Sequence, residues 1–317
     1  ALFSEHEMAD ASEALSAIFH SVHRAAVPPK GSRYAAPITP PPPPPGAPGC
    51  PNPQSSSASG LFLDQECGYC SIVHRCFALD VEETMECTAC RKRTRTLRYT
   101  KFLHFVPATA LNLAREYAEG VSTMEAALRH IDGTDQRACD PDAGGCGVMN
   151  GTTHALAVGG GGNRRAPPAI FCLALTWESA SVEREAIAQT LGNLSTTLDL
   201  GEMYERLPRG DGRPRYKLRC VMCYYGEHWA AFAISEAPAK AKSAWGVKDS
   251  SASSSNGAAA GAGAGAGEGE RWMLFDDATT KEVGSWSDVV ATCEKGRLQP
   301  CVLFYQPEGA ELAGLNE

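Results

Sequence analysis

The spacing of apolar residues divides the chain into one helical block and several strand-forming blocks. Over residues 8–24 apolar side chains recur at helical spacing, which predicts an amphipathic helix with Asp10 as its N-cap. Later, short runs rich in β-branched and aromatic residues predict strands at 170–177, 216–234, 272–275 and 301–305. A further strand is predicted over 77–81, and its start could include Cys76.

Two stretches have compositions that bury almost no apolar surface. Residues 27–61 contain an unbroken run of prolines followed by serines, and residues 237–270 contain a serine run followed by alternating Gly and Ala. Both are predicted to be disordered surface insertions. The remaining blocks are 1–26, 62–165, and 166–236 with 271–308.

Composition narrows the class of protein. With 317 residues and 43% hydrophobic content, the chain can build a sizeable core. No apolar run approaches the roughly 20 residues that span a bilayer, so no membrane association is expected. The net charge of -8 argues against a nucleic-acid partner. The first residues carry neither a leading Met nor a basic secretion signal, so we expect a chain cut from a longer protein. Thirteen cysteines without such a signal favour the cytosol or the nucleus, where paired cysteines more often hold metal than form disulfides.

Two cysteine pairs have spacings suited to a metal. Cys87 and Cys90 form a C-x2-C knuckle, in which two thiolates can face one Zn²⁺ from a tight turn. Cys139 and Cys146 form a looser C-x6-C pair, whose Pro and Gly residues describe a loop that could fold back onto the metal. We predict a structural zinc site on these four residues. The alternative is that Cys139 and Cys146 merely lie in a loop.

A second zinc site is conceivable upstream. Cys67, Cys70, His74 and Cys76 place three thiols and an imidazole within ten residues, which is compact enough to chelate a metal. The apolar run that follows also suits the start of a strand, so this hypothesis stays open.

A third cysteine pair shows that spacing alone misleads. Cys220 and Cys223 also have C-x2-C spacing, but their surroundings are strand-like. Positions three apart on a strand face opposite sides, so we predict core residues and not ligands.

The candidate catalytic residues lie at strand ends. His228 follows Gly226 between two strand runs, where a histidine can be held rigidly while facing a cleft. The run 272–275 ends in Asp276 and Asp277. A cysteine protease needs an imidazole to take the thiol proton and a carboxylate or amide to orient it, and His228 and Asp276 fit those roles. The alternative for the two aspartates is an Asx-type turn ending a strand.

The order of these features resembles the ubiquitin-specific protease (ubiquitin carboxyl-terminal hydrolase) family. That family has a strand, a Gly, a His followed by an aromatic residue, a strand ending in Trp-x-x-Phe-Asp-Asp, and a last strand rich in Leu, Phe and Tyr. All occur here in order, within 216–232, 272–277 and 302–305. The residues 10–15 resemble the family's Asp-Ala-x-Glu helix, and 198–200 resembles the motif leading into its palm sheet. The resemblance is to the divergent branch of human proteases 53 and 54 and their plant relatives.

The resemblance implies an α+β, papain-like cysteine protease fold with zinc-binding fingers and a palm sheet, the thumb being largely missing. Residues 1–26 would be a thumb helix remnant, 62–165 the fingers, and 166–236 with 271–308 the palm. The expected reaction is cleavage after the C-terminal Gly of ubiquitin, with ubiquitin and ubiquitinated proteins as partners. His228 would act as general base and then general acid, Asp276 would orient it, and Asp277 would assist.

Two departures from the family pattern affect the functional expectation. Glu227 stands between Gly226 and His228, where the family has Gly directly before His. The family's nucleophile lies in a Gly-x-x-Asn-x-Cys-Phe-x-Asn type box upstream of the Asp-Ala-x-Glu helix, and none of the thirteen cysteines has that box around it. We therefore expect this chain alone to be inactive. It is either part of an enzyme whose parent protein carries the nucleophile or an inactive ubiquitin-binding pseudoprotease. A zinc-finger scaffold without a ubiquitin link explains the cysteines alone.

Overall fold

A computed structural model describes residues 11–26, 71–94, 96–134, 136–156, 167–205, 215–226, 228–235 and 271–308. Both compositionally biased stretches lie outside these residues, as do Asp10, Cys67, Cys70 and Glu227. In the described ranges the helices are α1 (Ala11–Ala26), α2 (Ile72–Phe77), α3 (Ala108–Tyr117), α4 (Met124–Thr134), α5 (Arg184–Asn193), α6 (Leu200–Met203) and α7 (Trp286–Gly296). None of them combines the length and apolar character that crossing a bilayer requires.

The strands of the described ranges fall into three sheets. They are β1 (Leu79–Thr84), β2 (Leu97–Lys101), β3 (His104–Pro107), β4 (Gln136–Ala138), β5 (Met149–Gly151), β6 (Thr153–Leu156), β7 (Phe171–Thr176), β8 (Thr197–Asp199), β9 (Arg215–Tyr225), β10 (His228–Ser235), β11 (Arg271–Asp276), β12 (Thr279–Gly284) and β13 (Gln299–Pro307). The four strand runs predicted over residues 170–305 are confirmed, the second of them as the hairpin β9–β10.

An eight-stranded sheet organises the structure. Its order is β12-β11-β10-β9-β13-β7-β3, with β8 pairing β9 beside the main path. All of its pairings are antiparallel except β3 with β7. Because side chains alternate along a strand, each central strand contributes to both faces. Val221 and Leu303, for example, join the cluster that includes α3, α4, α5 and α7, while Val302 joins the cluster that includes α1 and α2.

Helix α1 packs on the face of this sheet opposite to α3, α4, α5 and α7. Phe19 is buried, with its ring 4.4 Å from Phe77 and 5.8 Å from Phe102 between centroids. Ile18 and Val22 stay exposed, so the buried stripe is narrower than the apolar pattern predicts. Burying a large apolar side chain contributes about 1.5–3 kcal/mol, and Phe19 is the main such anchor of the helix.

The predicted strand start at Cys76 is wrong, because Cys76 belongs to α2 and the strand begins at Leu79. The Ser71 side chain accepts a hydrogen bond from the His74 backbone N–H and so caps a helix start. Val73 and Cys76, three positions apart, are then buried on one helical face. A local cap therefore decides a stretch whose apolar spacing suits either structure.

The 62–165 block contributes to two parts of the structure. Strands β2-β1-β6 form a three-stranded antiparallel sheet, and β4 pairs with β5 as a separate hairpin. Strand β3 instead joins the eight-stranded sheet, and buried side chains of α3 and α4 belong to its core. The three-stranded sheet and the hairpin therefore extend from a segment whose other elements pack against the large sheet.

Candidate functional site

Three adjacent strands of the large sheet end in polar side chains at one place. Tyr225 is the last residue of β9, His228 the first of β10 and Asp276 the last of β11. Strand β10 lies between the other two. Phe232 of β10 and Trp272 of β11 are four residues from His228 and Asp276, respectively, on the same face of their strands, and both are buried in the core that includes α7. The three side chains thus lie at the rim of a packed face, where a rigid scaffold holds them.

The turn before His228 is short. Tyr225 and His228 face each other in the register of β9 and β10, which leaves two residues between them. Gly226 has a φ of 50°, in the left-handed region that favours glycine. The turn therefore fixes His228 directly across from Tyr225.

His228 and Asp276 are in direct contact. Nε2 of His228 lies 2.7 Å from Oδ1 of Asp276. Asp277 Oδ2 is 3.6 Å from the same nitrogen, and the Asp277 side chain is 82% exposed. Asp277 has a φ of 50° in the turn between β11 and β12. The two aspartates therefore differ, since Asp276 contacts the imidazole while Asp277 forms the turn.

The two ring nitrogens of His228 have different surroundings, since Nε2 contacts Asp276 and Nδ1 has no hydrogen-bond partner among the described residues. No described residue hydrogen-bonds to Nδ1 of His228, and no described thiol contacts the ring. When Nε2 carries the proton and donates it to Asp276, Nδ1 has a lone pair. The imidazole can then accept a proton from a group placed at Nδ1, while Asp276 stabilises the resulting cation.

Tyr225 is a site residue that the sequence reasoning missed. Its hydroxyl donates to Oδ2 of Asp276 at 3.0 Å, and its ring lies edge-on to His228 with centroids 5.3 Å apart. The hydrogen bond from His228 and then the one from Tyr225 lower the pKa of Asp276. The position of Tyr225 across a two-residue hairpin from His228 was the available sequence signal.

The four predicted zinc ligands converge. The sulfurs of Cys87 and Cys146 are 3.4 Å apart, those of Cys90 and Cys139 are 3.6 Å apart, and all four lie within 4.8 Å of one another. A tetrahedral zinc with bonds of about 2.3 Å needs sulfurs about 3.8 Å apart, so the cluster can hold that ion. The backbone N–H of Cys90 lowers the pKa of the Cys87 thiol to about 6, whereas the pKa values of Cys139 and Cys146 are raised, so the metal-free cluster favours one thiolate, at Cys87.

The loop that carries the second cysteine pair depends on glycine. It connects β4 to β5, and its ends are joined by a hydrogen bond from the Cys139 N–H to the Val148 carbonyl. A Cβ added at Gly145 would lie 2.6 Å from the Cys139 sulfur. The C-x6-C loop therefore does fold back onto the first pair, as its Pro and Gly content predicts.

A buried amide connects the two halves of the cysteine cluster. Oδ1 of Asn150 accepts hydrogen bonds from the Thr88 backbone N–H at 2.8 Å and from the Thr88 hydroxyl at 3.0 Å. Nδ2 of Asn150 donates to the Val148 carbonyl at 2.7 Å. One side chain thus ties the turn of the first pair to the loop of the second. Nothing in the cysteine spacing indicates it.

The Asn150 contacts make a testable prediction. Asn150→Ala leaves all four thiols but removes the hydrogen bonds that orient them, so we expect zinc affinity to fall about 10- to 100-fold. The measurement is competition with a chromophoric chelator. Asn193→Ala is the matched control, because it also removes an amide hydrogen bond, from Asn193 to Asn112, but neither residue contacts the cysteine cluster. Equal zinc affinity in Asn150→Ala and the wild type would contradict the bracing role.

The remaining cysteine hypotheses have different outcomes. For the second possible zinc site, Cys67 and Cys70 lie outside the described residues, and Nε2 of His74 lies 3.6 Å from Oδ1 of Asp80. Cys223 is fully buried in the core, which confirms the prediction for that residue, whereas Cys220 is only half-buried in the same strand, β9.

Curated relatives match most of this chain. It is 25% identical over 264 residues to Ubiquitin carboxyl-terminal hydrolase 54 of Mus musculus, covering 76% of this chain and 13% of the relative. It is 25% identical over 253 residues to Ubiquitin carboxyl-terminal hydrolase 53 of Homo sapiens, covering 76% of this chain and 19% of the relative. The chain therefore spans less than a fifth of the length of either relative.

A solved structure shares the fold. A SAGA DUB module containing Ubp8, Sgf11, Sus1 and Sgf73 matches with a TM-score of 0.50 at 12% identity, covering 97% of this chain and 52% of the matched one. The mixed α and β architecture agrees with the papain-like expectation. A family model described as Ubiquitin carboxyl-terminal hydrolase matches residues 1–305. By that match across nearly its whole length, the chain belongs to the ubiquitin carboxyl-terminal hydrolase family.

Proposed function

We propose that this chain is part of a cysteine-type deubiquitinase, an enzyme that cleaves after the C-terminal Gly of ubiquitin. In that enzyme the chain supplies the catalytic base and the residue that orients it. One observation carries the proposal: Nε2 of His228 lies 2.7 Å from Asp276, and no described residue hydrogen-bonds to the opposite nitrogen. This is the arrangement that a thiol nucleophile requires of its base. Membership of the family supports ubiquitin and ubiquitinated proteins as the partners.

We assign each residue a step that is consistent with this geometry. Nδ1 of His228 takes the proton of a cysteine thiol, and the thiolate attacks the carbonyl carbon of the ubiquitin C-terminal Gly. The imidazolium, stabilised by Asp276, then gives its proton to the leaving amine as the bond to that amine breaks. The same imidazole next activates a water, which releases ubiquitin from the thioester. Asp277 adds only a solvated charge near the ring.

Whether the protein is an enzyme or only a ubiquitin-binding module depends on whether it has a nucleophilic cysteine. We propose that it comes from a Cys-Phe-x-Asn type segment of the parent protein, since none of the thirteen cysteines has that context. The second candidate is an inactive protein that binds ubiquitin without cutting it.

We also propose that Cys87, Cys90, Cys139 and Cys146 hold a structural Zn²⁺. The ion would cross-link the turn before β2 to the β4–β5 loop, two segments with little apolar core of their own. With all ten described cysteines free, a reducing location in the cytosol or nucleus is the proposed setting.

The test is a ubiquitin probe with a C-terminal electrophile, applied to the full parent protein. We expect labelling of the wild type and at least about a hundredfold slower labelling of His228→Ala, because the thiol loses its base. His130→Ala is the matched control, since His130 is exposed on α4. If the parent protein is not labelled but still binds ubiquitin, the proposal of an enzyme is wrong and the protein is a pseudoprotease. Equal labelling of wild type and His228→Ala would contradict the role of His228.

A further inference from the structure

Asp276 receives a hydrogen bond on each of its carboxylate oxygens. Oδ1 accepts from His228 at 2.7 Å, and Oδ2 accepts from the Tyr225 hydroxyl at 3.0 Å. A carboxylate held by one donor can rotate about its terminal torsion, because that torsion is broad and roughly two-fold. A donor on each oxygen defines the plane of the group and thus the direction in which Oδ1 faces His228.

The alternative partner for His228 is close. Asp277 Oδ2 is 3.6 Å from Nε2, so a small movement of the ring or of the carboxylates would exchange one aspartate for the other. The Asp277 side chain is 82% exposed, and a hydrogen bond made there competes with water. The hydroxyl of Tyr225 therefore favours the sheltered partner over the exposed one.

The ring of Tyr225 restrains the imidazole as well. It lies edge-on to His228, at an angle of 87° and with centroids 5.3 Å apart, and the two residues are cross-strand partners. Burial, followed by the neighbouring Asp276 carboxylate, raises the pKa of Tyr225, so its hydroxyl stays a donor at neutral pH. The residue thus contacts both members of the pair with different atoms.

We propose that Tyr225 is a positioning residue: its hydroxyl fixes the Asp276 carboxylate and so holds His228 in the tautomer whose Nδ1 can accept a proton. Its effect on cleavage rests on the proposed function, whereas its effect on the tautomer does not. Tyr225 touches neither the thiol nor the scissile bond in this role.

The first test reads the tautomer directly. Nitrogen NMR of histidine-labelled protein, with the His228 signals assigned by their loss in His228→Gln, reports which ring nitrogen carries the proton. We expect the Nε2–H form to dominate in the wild type and to lose population in Tyr225→Phe, where the aromatic ring and its packing remain. Carbon NMR should show the pKa of Asp276 rising towards its ordinary value, because a hydrogen bond to its charged form is lost.

The control removes another tyrosine hydroxyl from the same strand. Tyr216 is buried in β9 and donates to the Pro168 carbonyl, so Tyr216→Phe should lower stability while leaving the His228 signals in place. A structural role for Tyr225 would make the two variants alike. An unchanged His228 tautomer in Tyr225→Phe overturns the inference.

The second test measures cleavage of a fluorogenic ubiquitin substrate by the parent protein. We expect Tyr225→Phe to lower kcat about tenfold with KM unchanged, since one hydrogen bond to a charged group is lost away from the substrate. Unchanged kcat in an active protein also overturns the inference. A wild type that cleaves no ubiquitin defeats the proposed function, and the tautomer measurement still decides the role of Tyr225.

Discussion

Replacing Asp276 with Asn is expected to lower kcat/KM for ubiquitin cleavage by the parent protein about 10²- to 10⁴-fold. Asp276 accepts hydrogen bonds from both His228 and Tyr225. Asparagine replaces one of these two acceptor oxygens by an NH₂ group; with its remaining oxygen accepting from Tyr225, the NH₂ group faces Nε2 of His228 and donates to it. The proton of the imidazole would then move to Nδ1, the nitrogen that has to act as the base. Steady-state kinetics with a fluorogenic ubiquitin substrate measures the loss.

Asp277→Asn is the matched control for this prediction. Its side chain is 82% exposed, and its φ of 50° is one that Asn adopts readily, so the turn is kept. We expect less than about a threefold change in kcat/KM, because a solvated charge interacts weakly with the ring. Similar losses in the two variants would contradict the assignment of Asp276 as the orienting residue.

The Asp276 variant also has an expected pH signature in stability. The folded pKa of Asp276 is lowered, by the hydrogen bond from His228 first, so folding favours its ionised form. The resulting stabilisation is present above the unfolded pKa and disappears as the pH falls through the lowered folded value. Denaturant unfolding at several pH values should therefore show wild type and Asp276→Asn differing near neutrality and converging as the pH falls through the lowered folded pKa of Asp276. A difference that persists at low pH would mean that the aspartate acts through packing.

Cys139→Ser is expected to abolish stoichiometric zinc binding and to unfold the β4–β5 hairpin. Cys139 is buried within the four-sulfur cluster, and a hydroxyl cannot replace its thiolate as a zinc ligand. Structural zinc contributes about 10–16 kcal/mol of apparent binding free energy in small domains, and much of that is folding free energy. Metal analysis should fall from about one zinc per chain to none, and hydrogen exchange should increase in the hairpin.

Cys220→Ser provides the control for the zinc prediction. It changes a half-buried cysteine that has the same C-x2-C spacing but lies in β9 of the large sheet. Zinc content should stay at about one per chain in this variant. Wild-type protein that is folded and metal-free would remove the zinc assignment altogether.

The local features of the site could be predicted from the sequence because each depends on a short segment. Gly226 before His228 and the aspartates after the run 272–275 are strand-end patterns, and the structure places His228 and Asp276 at strand ends in contact. The C-x2-C pair is likewise a property of one turn, since the Cys90 N–H lies near the Cys87 sulfur within it.

The supporting residues could not be predicted in this way, because each acts on a partner far along the chain. Tyr225 and Asp276 are 51 residues apart, and Asn150 and Thr88 are 62 apart. Tyrosine at a strand end and asparagine in a short strand are common, so neither residue type indicates its partner. The same limit explains the error at Cys76, where the apolar spacing suits a strand or a helix and the Ser71 cap decides.

By itself, the sequence determined the strand runs, the two cysteine pairs that converge and the likeness to the ubiquitin-specific proteases, because all three are encoded in local periodicity, spacing and motif order. Only the tertiary structure decided which aspartate contacts His228, that Tyr225 holds the second oxygen of that aspartate, and that Asn150 joins the two cysteine pairs. The physical reason is the register of the sheet. Pairing β9 with β10 and β10 with β11 brings three separate strand ends to one rim, and that alignment depends on the packing of the whole core.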